Sequence, residues 1–319
     1  MTIKMKLTEE QIKNITFGAV KIERCEDGYH FFEYTDKQLA FFASLDEGLG
    51  NRAKTTTGVR LDFHTDARAV RFLVNGGGKY ELLINGLLKE QFFAKESTTL
   101  SYEAEGAGPY RVTLALPSHG VGVLEGLELE GESVFAPHAF DCRLLFIGDS
   151  ITQGWNTDID TLSYAYRVSF FYNAESVIQG TGGAFFHEGT FDAIPFDPDK
   201  VIVALGTNDF NHYKTVEDMV ARADAHLACI AEEYKDKPRY YISPIWRASQ
   251  ERAMGSFGEC RAALIALAEK HGFTHIDGFS LVPAHPVFFD PDLLHPNALG
   301  FSQFSENLIH ALEAKKSQM

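Results

Sequence analysis

Four stretches of this chain carry side chains whose types and spacing suit chemistry on an acyl group. Gly148-Asp149-Ser150 ends an apolar run and offers a hydroxyl. Asp292-Leu-Leu-His295-Pro-Asn places a carboxylate three residues before an imidazole, and one helical turn or a tight loop brings two such side chains to the same side. Asp292 can then hold one ring nitrogen of His295 while the other takes the serine proton, which supplies the base that a hydroxyl nucleophile lacks. Histidine suits this work at neutral pH because its ordinary pKa is about 6.5. Acyl transfer also needs donors for the oxyanion of a tetrahedral intermediate. Ile178-Gln179-Gly180-Thr-Gly-Gly183 exposes backbone N–H groups, and Gly206-Thr-Asn208-Asp209 adds a side-chain amide.

These stretches need a frame that brings them together. From about residue 140 the sequence alternates buried apolar runs with helix-length segments: Leu144–Ile147, Val177-Ile178, Val201–Leu205, Tyr240–Ile242 and Thr274–Ile276, with helical periodicity over 216–234, 260–271 and 299–314. Thr215, three residues before Asp218, caps the first of these helices. Such alternation predicts a flavodoxin-like three-layer α/β/α fold around a parallel sheet. Ser150, the glycine block and Asn208 follow the first, second and third strands. With strand order 2-1-3-4-5 they converge at the carboxyl edge, where such sheets bind ligands. Ser150 is not in a Gly-x-Ser-x-Gly elbow, which argues against the usual α/β-hydrolase.

The first half has a different rhythm. Val59, Leu61 and Phe63 alternate with polar neighbours, as do Val70, Phe72, Val74 and Tyr80, Leu82, Ile84. Gly76-Gly-Gly78 and Asn85-Gly86 are turn chemistry, and Thr8 with Gln11 reads as the capping box of a short helix. The pattern predicts an all-β, jelly-roll-like sandwich over 1–135, a linker over 136–140 that includes Pro137 and His138, and the α/β unit over 141–319. No repeat or low-complexity tract interrupts it.

Composition excludes several classes. The chain has 319 residues and a formal net charge of -15, so a polyanion would be repelled and nucleic acid is not an expected partner. No run of about 18 apolar residues suggests a membrane span, and the charged amino terminus does not read as a secretory leader. Cys25, Cys142, Cys229 and Cys260 lie far apart, without metal or redox spacing, so a cytoplasmic protein with reduced thiols, no cofactor and no metal is expected. Oligomeric state is not legible.

In order and spacing, Gly148-Asp149-Ser150, the glycine block, Gly206-Thr-Asn208-Asp209 and Asp292-Leu-Leu-His295-Pro-Asn297 resemble the motifs of the SGNH, or GDSL, hydrolases over about 141–319. The resemblance implies Ser150 as nucleophile, Asp292 and His295 as the rest of a triad, and an oxyanion hole of the Ser150 backbone, Gly183 and Asn208. The second block has Ile178 and Ala184 where that family often has polar residues, so Gly182 and Gly183 remain alternative donors. A sandwich before such a domain resembles carbohydrate esterase family two, which implies an acetylated sugar or another small ester as substrate. Trp155 and Trp246, beside the first and fourth strands, are candidate pocket walls, with His187, Phe185-Phe186 and Phe288-Phe289 as further candidates. Asp149 and Asp209 are expected to brace loops. A lipase or thioesterase on the same scaffold, or a carbohydrate-binding protein with an inactive hydrolase domain, are the alternatives. The Gly180–Phe185 block lacks the last glycine or alanine of a dinucleotide fingerprint and follows the wrong strand for one.

Overall fold

The computed structural model describes residues 4–131 and 134–316. The chain forms two compact units, one of residues 1–34 and 54–140 and the other of residues 35–53 and 141–319.

The first unit contains two antiparallel sheets. One runs in the order Lys21–Cys25, Gly28–Phe32, Val123–Glu130, Ala69–Asn75, Thr98–Glu103, with Lys4–Lys6 also paired to Val123–Glu130. The other runs Phe135–Pro137, Arg60–Thr65, Tyr110–Ala115, Gly78–Ile84, Leu87–Ala94, with Thr16–Phe17 on Arg60–Thr65. The three alternating triplets all lie in one buried cluster fed by both sheets, as the two-residue period of a strand requires. Asn85 and Gly86 take φ of 51° and 79°, the paired positive values of a tight hairpin turn. Glu9–Asn14 is the short helix, with both halves of the Thr8–Gln11 capping box formed.

The division of the chain differs from the sequence reading at two points. Phe135–Pro137 is a strand paired with Arg60–Thr65. His138 stacks on His64 with ring nitrogens 2.9 Å apart, so the segment expected as a linker is bonded into the first unit. Residues 35–53, expected in the sandwich, are helical and group with the second unit.

That unit is built on five parallel strands, β1 (Cys142–Gly148), β2 (Ala174–Gly180), β3 (Lys200–Ala204), β4 (Arg239–Ile242) and β5 (Thr274–Ile276), in the order β2-β1-β3-β4-β5. Its main helices are α1 (Asp36–Leu45), α2 (Glu47–Arg52), α3 (Ser150–Gln153), α4 (Tyr164–Phe171), α5 (Val216–Glu233), α6 (Phe257–Lys270) and α7 (Ala298–Lys316). Met219, Ala223, Leu227 and Ile230 bury one face of α5, whose Thr215 cap accepts from Asp218 N. α4 packs with α7 and α5 with α6, giving the helical layers of an α/β/α fold.

The pair α1–α2 is fastened to this unit by polar and apolar contacts. Thr35 and Gln38 form a capping box at α1, and the Thr35 hydroxyl also donates to Asp192 at 2.8 Å. Gln38, fully buried, donates to the Thr190 carbonyl at 2.9 Å. The Phe41 ring lies 4.7 Å from that of His187. Asp46 then caps α2 by accepting from Leu49 N at 3.0 Å. Among the described residues no helix is long and apolar enough to cross a membrane.

Candidate active site

The site assembles at the carboxyl ends of β1, β2 and β3. β1 passes directly into α3. A side chain at Gly148 would bring a Cβ within 1.9 Å of Thr152 Oγ1 and 2.9 Å of the Ala204 carbonyl, so only glycine lets the strand end lie against the helix. Asp149 caps α3 by accepting from Ile151 N at 2.9 Å, and Ser150 begins the helix with its side chain largely buried. Ser150 Oγ lies 2.8 Å from His295 Nε2, and His295 Nδ1 lies 2.6 Å from Asp292 Oδ2.

The loop bearing Asp292 and His295 is held from several sides. Asp292 Oδ1 accepts from Leu294 N at 2.9 Å and His295 N at 3.0 Å, while Leu293 between them takes φ 51°. A branched residue in the left-handed region needs such over-determination. The Asn297 amide donates to the Val287 and Phe289 carbonyls, and its oxygen accepts from Gly300 N at the start of α7. This accounts for the asparagine that ends the motif. Burial raises the pKa of Asp292, but the bonds from the His295 ring and from the His295 and Leu294 N–H groups outweigh it and leave its carboxyl below the usual range. The carboxylate therefore stays ionised at neutral pH.

A cavity of about 250 Å³ opens over the serine and is lined by Arg52, Ser150, Trp155, Gly182, Gly183, Asn208 and His295. A neighbouring cavity of about 370 Å³ shares Arg52, Gly183 and Asn208 and extends past Leu49, Phe185 and His212. The structure thus gathers Ser150, Asp292, His295, Gly182, Gly183, Asn208 and Trp155 at one place. Trp155 is exposed at the rim, its ring 6.3 Å from that of His295. Trp246, expected as a pocket wall, does not line this cavity; its ring packs 4.9 Å from that of Phe289, which is itself buried. Phe186 is core and Phe185 stacks on His212 at 3.7 Å.

The two glycines are distinguished by their bonds. Gly182 N donates to Gln153 Oε1 at 2.8 Å, whereas among the described residues no hydrogen bond engages Gly183 N. One Asn208 Nδ2–H donates to the Ala184 carbonyl at 2.9 Å, which leaves the second amide hydrogen for another acceptor. Asp149 and Asp209 are both buried and brace backbone, Asp209 by accepting from Phe186 N at 2.9 Å. Burial pushes them up to about 6 and about 7.

Two residues at the site escaped the sequence reading. Arg52 reaches it from α2, and Arg247, buried, donates through Nη1 to the Thr207 carbonyl at 2.8 Å, holding the block that carries Asn208. The capping box at Thr35 and Gln38 could have revealed the helices that carry Arg52; Arg247 has no local signal. Among the described residues, the cluster of three potential metal-ligand side chains is Cys25, Asp27 and His30, at an exposed turn of the first unit and not at the serine.

Residues 146–302 match the model of the GDSL-like Lipase/Acylhydrolase family. That stretch is a GDSL-type serine hydrolase domain. No curated protein matches the sequence. Among solved structures, the chain is similar to the salicylyl-acyltransferase SsfX3 from a tetracycline biosynthetic pathway, at 17% identity over 99% of this chain and 98% of that one, with a TM-score of 0.85. It is also similar to an acetyl xylan esterase from Butyrivibrio proteoclasticus (14% identity, 99% of each chain, TM-score 0.69). A family two carbohydrate esterase from Clostridium thermocellum, in complex with cellohexaose, resembles it at 16% identity over 82% of this chain and 93% of that one, with a TM-score of 0.66. At such identities the likeness is one of fold.

Proposed function

We propose that this GDSL hydrolase is an esterase that removes small acyl groups, acetyl above all, from carbohydrate hydroxyls. The observation that carries the reading is the continuous chain from Ser150 Oγ through His295 to Asp292, open to a cavity that Gly183 and Asn208 also line. Ser150 Oγ attacks the ester carbonyl as its proton passes to His295 Nε2, and Asp292 steadies the imidazolium. The oxyanion takes bonds from the Ser150 and Gly183 N–H groups and Asn208 Nδ2. The tetrahedral intermediate then expels the sugar alkoxide, which takes the proton from His295, and leaves an acyl-serine. Water attacks in turn through the same base, releases the carboxylic acid and restores the serine.

A sugar ester is favoured by Trp155 at the rim, an aromatic face suited to a pyranose ring, and by the carbohydrate esterases that share the fold. The likeness to an acyltransferase along the whole chain supports a second reading, in which a hydroxyl acceptor replaces water in the last step. One preparation should be tested on acetylated sugars, aryl esters of increasing acyl length and an acyl thioester, each with and without an added alcohol acceptor. The esterase reading requires acetyl esters to be preferred and Ser150→Ala to lose on the order of 10⁶ in kcat together with labelling by a serine-directed phosphonate. Retention of a tenth of the rate by Ser150→Ala would remove the nucleophile, and product that appears only with the acceptor would establish transfer.

A further inference from the structure

We propose that Arg52 is a positioning residue for the oxyanion hole: by binding the Gly182 carbonyl it fixes the peptide whose other edge is the Gly183 N–H. The inference rests on the esterase reading above and goes beyond it. Arg52 Nε donates to Gly182 O at 2.5 Å. The 182–183 bond is trans, as the one cis bond among the described residues is Gly108-Pro109. In a trans peptide the C=O and N–H point to opposite sides of one rigid plane, so a partner on the Gly182 carbonyl sets the direction of the Gly183 N–H.

Gly182 is therefore held at both ends, its N–H by Gln153 Oε1 at 2.8 Å and its carbonyl by the guanidinium. Gln153 lies three residues after Ser150 in α3, which ties this loop to the helix that bears the nucleophile. A cationic donor makes a bond roughly twice as strong as a neutral one and polarises the peptide, which strengthens its N–H as a donor. The fit is close. A Cβ at Gly182 would come within 3.0 Å of Arg52 Cδ and 3.1 Å of Gln153 Oε1, and one at Gly183 within 3.2 Å of Arg52 Nη2, so the arginine is packed along both glycines. Gly183 itself takes φ 87°, a conformation open to glycine that a loose loop would leave readily. The catalytic loop of the hydrolase domain is thus fixed by a residue from about 100 positions earlier in sequence than the nucleophile.

Arginine Nε and glutamine Nε2 stand the same number of bonds from Cα, whereas methionine has the length and no donor. Arg52→Gln and Arg52→Met therefore separate the donor from the charge. With an aryl acetate, Arg52→Met should lose about 10- to 100-fold in kcat with KM within twofold, short of the 10²–10³ seen when an oxyanion donor is removed outright. Arg52→Gln should keep at least about a third of kcat. Inhibition by phenylboronic acid, whose serine adduct places an oxygen in the oxyanion position, should weaken in Arg52→Met in step with kcat and little in Arg52→Gln. Folding is checked by thermal melting. Should Arg52→Met not fold, Arg52→Lys keeps the stem and charge with the donor one bond too far out, and should lose at least about fivefold in kcat. Unchanged kcat in Arg52→Met, equal losses in the Gln and Met variants, or a rise in KM alone would overturn the role of Arg52 while Ser150→Ala still abolishes activity. Full activity in Ser150→Ala would instead overturn the esterase reading beneath it.

Discussion

Asp292→Asn should reduce kcat on an aryl acetate by about 10⁴ while the protein stays folded. Asp292 Oδ1 accepts two backbone N–H groups, at 2.9 and 3.0 Å, and Oδ2 sits 2.6 Å from His295 Nδ1. An asparagine must keep its carbonyl oxygen on the two N–H groups, because the flipped amide would set donors against donors, and each unsatisfied group costs about 1–3 kcal/mol. The amide nitrogen then faces His295 Nδ1 as a donor and requires a lone pair there. The ring proton is forced onto Nε2, which lies 2.8 Å from Ser150 Oγ and can no longer accept its proton. At about 1.36 kcal/mol per tenfold, a 10⁴ loss corresponds to about 5.5 kcal/mol of transition-state stabilisation. Steady-state hydrolysis between pH 6 and 9, with active sites counted by a phosphonate, measures it. The Asp292 carboxyl lies below its usual value, so it remains ionised until strongly acidic pH, and any loss of wild-type rate above about pH 5 belongs to another group. A folded Asp292→Asn protein within tenfold of wild-type kcat would refute the argument that Asp292 sets the tautomer.

Asn208→Ala should lose about 10²–10³ in kcat with little change in KM, since its free N–H matters once charge has developed; a change confined to KM would make Asn208 a substrate contact instead. Asp209 stands at about 7 in the fold against a usual 3.8, so the stability tied to its protonated form is complete below about pH 4 and lost as pH rises through 7, on the order of 4 kcal/mol at most. Urea unfolding from pH 5 to 8 should show a shallower decline in Asp209→Asn than in wild type, and equal slopes would contradict it. A chain beginning at Asp141 lacks α1, α2 and Arg52, and should lose at least tenfold in kcat even on a small aryl acetate if it folds; full activity would show those helices to be dispensable for the chemistry.

Much of this structure was legible in the sequence because its signals are local. The alternating triplets from Val59 to Ile84 are buried strands, and β1 to β5 lie in the order that brings Ser150 and Asn208 to one edge. The helices 36–52 were missed although Thr35 and Gln38 repeat the capping box that marked Thr8 and Gln11. The reason is that α2 is six residues long and contains Gly48 and Gly50, which erase its periodicity. Gly50 is required because a Cβ there would lie 2.8 Å from Ala43 Cα. Pro137 made 136–140 read as a linker, yet proline is tolerated in an edge strand, and Phe135–Pro137 ends its sheet. Trp246 follows β4 as a pocket residue would, but whether such a ring faces a cavity or Phe289 is decided by the packing of a loop from elsewhere in the chain.

The same distinction runs through the site. The motifs name the groups proposed to react, since a hydroxyl, an imidazole and a carboxylate have few substitutes in acyl transfer. What fixes those groups carries no comparable signature. Arg247 holds the Thr207 carbonyl and Arg52 the Gly182 carbonyl, so each of the two proposed donor loops is pinned from behind by a guanidinium that lies outside every motif. An arginine bond to a carbonyl can be delivered from any element that ends nearby, and nothing ties it to a fixed spacing from the loop it holds. Arg247 comes from the loop after β4; Arg52 comes from helices embedded between strands of the first unit's sequence. The candidate reactive groups could therefore be read one motif at a time, whereas the rigidity of the proposed oxyanion hole depends on contacts between segments far apart in the chain. It follows that the segment 35–53, although it interrupts the sandwich in sequence, belongs to the hydrolase unit in packing and, on the inference drawn for Arg52, in chemistry as well.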